Sequence, residues 1–219
     1  MKKKLFYAFI FAGIAAQFFV LTYSIVLHEK TLRLGTVCRF QTAPVDPFDA
    51  FRGQYVALNF NAFRDGVLSD ISIPEGEWCY LQIGTGTNGF AVVERVSLKC
   101  DVSSPYLKTR LRWCQWDRIL KKDSEGKDYW EDTGKYRLHF NLPFDRYYMP
   151  EKLAPQAEEA YRKANRSKER DAVAVVRIWE GKTVIEDLMI EGLPIREFLK
   201  KQEEKNHEEN TDSDSQPEP

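Results

Sequence analysis

The chain has 219 residues, with 32 Lys and Arg against 33 Asp and Glu, for a formal charge of −1. So even a balance carries no global field that would draw nucleic acid, and no nucleic-acid partner is expected. The three histidines, His28, His139 and His207, are dispersed and there is no Gly-rich phosphate loop, so neither a metal site, a His-based triad nor a cofactor is expected.

Three lysines, Lys2 to Lys4, precede an uncharged run over residues 5–27 that His28, Glu29 and Lys30 end. Twenty-three residues without a charge suffice for a membrane-spanning helix, which needs about 20. The lysines on the short N-terminal side predict a cytoplasmic stub at residues 1–4, with everything beyond Leu27 carried across the membrane. A cleaved signal peptide is the competing reading. Its apolar region usually runs about 7–15 residues to a small-x-small site, whereas here Ala12, Ala15 and Ala16 lie in mid-run. Residues 28–200 are one domain's worth of chain by the usual length prior. From Lys200 onward the sequence is acidic and almost without apolar residues, so residues 201–219 are expected to be a disordered tail.

Within the domain, alternation and breakers predict strands at residues 32–41, 54–61, 78–83, 90–98, 107–116, 135–142, 172–179 and 183–190. In the second of these Val56, Leu58 and Phe60 fall on one face, after a turn-rich approach through Asp46, Pro47, Asp49, Arg52 and Gly53. The run from Gly84 to Gly89 reads as a hairpin loop, and Glu180-Gly181 as another. Residues 121–132 read as a charged loop. A helix is expected at 155–167, with Pro155 at its start, Glu158 and Glu159 in its first turn and Arg162, Lys163 and Arg166 later, an order that suits the helix dipole. A second short helix is expected at 193–202. The fold class is therefore α+β and β-dominated: an N-terminal transmembrane helix followed by one antiparallel β-rich domain with one or two helices. Cys38, Cys79, Cys100 and Cys114 all fall on the expected outer side, where a disulfide can persist; equally, they can serve as small buried hydrophobes. Sequence does not choose among the three possible pairings.

The segment at residues 45–60, VDPFDAFRGQYVALNF, resembles the bacterial GDYXXLXY proteins through Asp46, Pro47, Arg52, Gly53, Tyr55 and Leu58. It departs from that pattern at Gln54, where the family has Asp, and at Phe60, where it has Tyr. The resemblance extends to residues 145–151, DRYYMPE, an aromatic-rich stretch ending in Pro-Glu before a helix. It implies a membrane-anchored bacterial protein of the inner membrane with a periplasmic domain, no particular activity, and a multi-pass membrane protein as partner.

Three groups of residues compete for a function. Arg52, Gly53 and Tyr55 form the first binding candidate: Gly53 tolerates positive φ at the loop-to-strand junction, and the Arg52 fork suits a carboxylate or phosphate. A turn held by Asp46 and Asp49, with Tyr55 half-buried, is the structural alternative. Lys108, Arg110 and Arg112 form the second, alternating with apolar neighbours. If their strand pairs with 135–142, then Lys135, Arg137 and His139 join them on one face able to bind an anionic partner. Asp46, Asp49 and Glu151 are the acid–base candidates of the third reading, an envelope hydrolase of peptidase type, with Glu158 as a possible mate for Glu151. Gln54 weakens that reading, because an amide does not titrate. The preferred function is a membrane-anchored binding or assembly module rather than an enzyme.

Overall fold

A computed structural model describes residues 2–43, 55–100, 105–166 and 171–213. It opens with helix α1 (Lys2–Leu34), among the described residues the one helix long and apolar enough to cross a membrane. The charges at 28–30 do not end it, contrary to expectation. Glu29 and Arg33, one turn apart, pair at 2.6 Å, and the Thr31 hydroxyl donates to the Leu27 carbonyl at 2.9 Å. Helical geometry therefore continues through the polar turn and the first strand starts later than predicted, at Thr36.

The joint between helix and domain is tight. Thr31 is only 1% exposed, the Gly35 amide donates to the Thr31 carbonyl at 3.0 Å, and Arg177 Nη1 donates to the Gly35 carbonyl at 3.3 Å. A Cβ on Gly35 would lie 2.3 Å from the Thr31 carbonyl oxygen, so only glycine fits.

Among the described residues twelve strands follow: β1 (Thr36–Ala43), β2 (Tyr55–Ala57), β3 (Asn59–Phe60), β4 (Val67–Ser69), β5 (Trp78–Thr85), β6 (Ala91–Ser97), β7 (Tyr106–Lys122), β8 (Asp128–Asn141), β9 (Arg146–Tyr148), β10 (Ala172–Trp179), β11 (Lys182–Ile190) and β12 (Leu193–Pro194). A short helix, α2 (Asn61–Arg64), follows β3. One antiparallel sheet runs β12-β11-β10-β1-β3, a second runs β4-β8-β7-β5-β6, and β2 and β9 form a separate ribbon. The two larger sheets and the ribbon share one apolar core. At its centre Phe40, Phe60 and Phe144 meet with ring centroids 5.1–5.7 Å apart. Truncating such a residue to Ala costs about 3–5 kcal/mol. The predicted alternation holds: Val56, Leu58 and Phe60 are all buried, although the chain changes partners midway. At Leu58, whose amide donates to the Asp145 carbonyl at 2.9 Å, the strand leaves β9 and crosses to β1.

The stretch read as a charged loop at 121–132 is instead the end of a long hairpin. β7 continues to Lys122 and β8 begins at Asp128, with a turn in which Asp123 Oδ1 accepts the amides of Glu125 and Lys127, both at 2.9 Å. Cross-strand ion pairs, Arg118 with Asp132 and Lys121 with Glu131, explain why strand and loop share a composition here.

Helix α3 (Ala154–Arg166) forms as predicted, one residue early, which moves Glu158 and Glu159 out of the first turn. Its buried stripe of Ala154, Ala157, Ala160, Tyr161 and Asn165 follows helical spacing. The Tyr161 hydroxyl donates to the Ala43 carbonyl at 3.2 Å and accepts the Asn59 amide at 3.4 Å. Thr42 Oγ1 lies 2.9 Å from both Asn165 Oδ1 and the Ala172 carbonyl.

Helix α4 (Ile195–Ser213) replaces both the short helix and much of the expected disordered tail. Residues 193–194 are strand, and the helix is held by Ile195 and Leu199, both buried. Beyond them Glu, Lys and Gln are strong helix formers, with Glu197/Lys201 and Lys200/Glu204 spaced four apart. Such a composition rules out a core, not a helix.

Candidate functional site

Of the motif residues singled out in the sequence, Asp46, Asp49, Arg52 and Gly53 lie outside the described residues. Tyr55 opens β2, whose register with β9 is Tyr55 opposite Tyr148, Val56 opposite Tyr147 and Ala57 opposite Arg146. Directly opposed residues share a face. One face of the ribbon therefore sends Val56 and Tyr147 into the core, while the other gathers Tyr55, Arg146 and Tyr148. There the Tyr55 and Tyr148 rings lie 5.7 Å apart, and the Arg146 guanidinium sits 5.0 Å over the Tyr55 ring. A hydrogen bond to Tyr148, with the nearby Tyr55 and Asp145, pushes the Arg146 titration upward, so its positive charge is secure. Tyr148 is 65% exposed, so its ring is open to a partner.

The inward side fixes this face. The buried Tyr147 hydroxyl donates to Asp187 Oδ1 on β11 at 3.1 Å, and burial followed by that carboxylate raises its titration to about 12. Beside the ribbon lies a groove of about 310 Å³ whose walls include His28 from α1, Phe144, Arg146 and Tyr148 around β9, and Thr183 and Val184 from β11. The sequence reading noticed residues 145–151 as aromatic-rich but assigned no role to Arg146, Tyr148 or His28. Their convergence depends on pairing between segments some ninety residues apart.

The basic ladder is modified. β7 and β8 do pair, and their register leaves Lys108, Arg110, His139 and Arg137 on one face, but slips between Leu111 and Trp113 and between Trp116 and Arg118 interrupt its regular spacing. Arg112 occupies the first slip. Trp113 then faces His139 and Gln115 faces Arg137, which keeps like charges from lying opposite one another. Arg137 is instead bound to Asp117, with Nε to Oδ1 at 2.9 Å, and Thr133 donates to the same carboxylate at 2.8 Å. These partners, Thr133 first, hold the Asp117 carboxyl below its ordinary range and also shield it from water. Lys135 reaches only toward Asp70, at 3.7 Å.

His139 stacks flat on Trp113 with centroids 3.8 Å apart, and its buried Nε2 has no hydrogen-bond partner among the described residues. Burial, then Arg137 and Arg112, lowers its titration below the ordinary imidazole value. On the same face Lys108 and Arg110 are placed 5.1 and 4.7 Å over the Trp78 ring.

All four thiols are free in this structure; Cys38 and Cys79 are buried, Cys114 is half-buried and Cys100 is exposed. Burial lifts the Cys38 thiol to about 11, which keeps it protonated and inert. Of the acid–base candidates, Glu151 sits exposed in the turn before α3, and Glu158 lies on that helix's exposed face. Among the described residues no group of three or more His, Cys, Asp or Glu is placed to hold a metal ion.

Comparison with curated proteins and with solved structures returned no match. A family model described as GDYXXLXY protein matches residues 17–188, which takes in the second half of α1, the ribbon with its Tyr55, the adjoining Leu58, and the sheets into β11. The chain thus belongs to the GDYXXLXY family.

Proposed function

We propose that this protein is a single-pass, inner-membrane-anchored module whose domain lies on the periplasmic side, and that it binds a multi-pass membrane protein through the ribbon that carries the family motif. The observation that carries this reading is the placement of Tyr55, Arg146 and Tyr148. They sit on a two-stranded ribbon that belongs to neither larger sheet, rigidly backed by the Tyr147–Asp187 bond and adjoining the end of α1. Aromatic rings with an overlying guanidinium are the residue types that dominate protein interfaces. The three N-terminal lysines support the orientation.

The test is to purify the full-length protein from membranes in mild detergent and identify what stays bound by mass spectrometry, with Tyr55→Ala and Arg52→Ala as comparison. A stoichiometric membrane protein lost from the folded variants supports the module and locates its contact. A folded protein that emerges alone, or a partner kept equally by both variants, overturns it.

A further inference from the structure

We infer that the groove between α1, β9 and β11 binds the phosphate headgroup of a membrane phospholipid. This rests on the membrane anchoring in the proposed function, but not on the protein partner.

Depth is the first argument. The uncharged run of 23 residues is about 35 Å long at 1.5 Å per residue, slightly more than the roughly 30 Å hydrocarbon core. His28, the next residue, therefore lies in the headgroup layer, which is about 5–7 Å thick on each face. No linker lifts the domain away, since Thr31 is already buried within it and Gly35 is bonded both to the helix and to Arg177. Whatever shares a wall with His28 is held near that depth.

Composition is the second. The groove wall contains no carboxylate. Arg146 supplies a planar fork suited to phosphate oxygens; Tyr148, Thr183 and His28 add donors. Phe144, Val184 and Ile185 form an apolar floor suited to the glycerol and upper acyl carbons. Asp145 approaches Arg146 only to 3.7 Å and stays exposed, and the guanidinium, although stacked on Tyr55 and bonded to Tyr148, has five N–H donors, enough to add an anion. At about 310 Å³ the groove is at the small end of ligand clefts, right for a headgroup rather than a whole lipid. An exposed tyrosine beside an apolar span is also the residue type concentrated at membrane interfaces.

The experiment uses full-length protein in detergent, with native mass spectrometry counting phospholipids that remain bound. Lipid-depleted protein is then titrated with phosphatidylglycerol, phosphatidylcholine or inorganic phosphate. The expected result is one phospholipid retained by the wild type. Losing the Arg146 fork together with the His28 donor should weaken rebinding roughly a hundredfold or more in a His28→Ala, Arg146→Gln double variant. Trp130→Ser, on the β7–β8 hairpin, should keep the lipid. Should the double variant lose its fold, Tyr148→Phe alone serves, because its ring is already exposed and its loss of a donor should lower retention without disturbing the core. Equal lipid retention by wild type and folded groove variants overturns the inference. So does inorganic phosphate displacing lipid at matched concentration, which would mark the site as one for free phosphate. Because no protein partner enters this assay, loss of the partner reading would leave its outcome intact.

Discussion

Tyr161→Phe removes one oxygen and is the sharpest test of how α3 braces the motif strand. The hydroxyl is the shared partner of the Ala43 carbonyl and the Asn59 amide, which flank the stretch of chain leading into β2. Both the ring and Ala43 are buried, so water cannot easily replace the lost oxygen. A buried backbone group left without its bond costs about 1–3 kcal/mol. The contacts here are long, at 3.2 and 3.4 Å, so each falls at the low end and the pair totals about 2 kcal/mol. For a domain of this size, at about 2–4 °C per kcal/mol, that lowers Tm by roughly 4–8 °C. The assay is thermal unfolding of the full-length protein in detergent, followed by tryptophan fluorescence. Asn165→Ala in the same background is the companion, because Asn165 Nδ2 donates to the Tyr161 carbonyl at 3.1 Å and the two side chains belong to one buried network. Their effects should fail to add by about 0.5 kcal/mol or more. A Tyr161→Phe protein that unfolds within 1 °C or so of wild type would refute the reasoning, since it would mean that the hydroxyl braces nothing.

Three further outcomes are expected. His139 has a depressed titration in the fold, so the unfolded chain binds its proton first; stability is fully present above the ordinary value of 6.5 and is lost as pH falls through the lower folded value. Unfolding measured from pH 7.5 down to 5 should show that slope in the wild type and lose it in His139→Phe, which also removes an unpaired buried nitrogen. Gly35→Ala should destabilise by about 2 kcal/mol or more, because the added carbon meets backbone on the Thr31 side rather than a side chain that can swing away; proteolysis at the helix–domain joint should rise with it. Trp130→Ser should change stability by less than about 0.5 kcal/mol, since the ring is 66% exposed, and a larger loss in a melting experiment would mean the hairpin tip packs against the domain.

Much of the β framework could be read directly from residues. The apolar, valine-rich run AVAVVRIW is β10 from end to end, and the Glu180-Gly181 pair supplies its turn. Val56, Leu58 and Phe60 declare their buried face because side-chain alternation is local and survives a change of partner. What could not be read is non-local or too short. β9 has three residues, fewer than any periodic signal needs, and only its pairing with β2 makes Arg146 and Tyr148 neighbours of Tyr55. The register slips in β7 depend on how Asp117, Thr133 and Arg137 lock together across the hairpin. Composition misled where charges pair across strands at 118–132 and where helix formers continue α4 without a core beneath them.

In the membrane-anchored module proposed above, the closed joint at Thr31 and Gly35 makes the domain a pointer for its own anchor. A helix whose uncharged run measures about 35 Å in a 30 Å core relieves the mismatch by leaning about 30° if tilt alone absorbs it, and by only about 17° in a core of 33 Å. With no hinge to take up the difference, the whole domain swings through the same angle. Each 10° of that swing carries a surface feature 30 Å from the joint through about 5 Å. A change in bilayer thickness, or a neighbour that straightens α1, is thereby converted into a displacement of the ribbon and of the long β7–β8 hairpin, with no change in the fold itself.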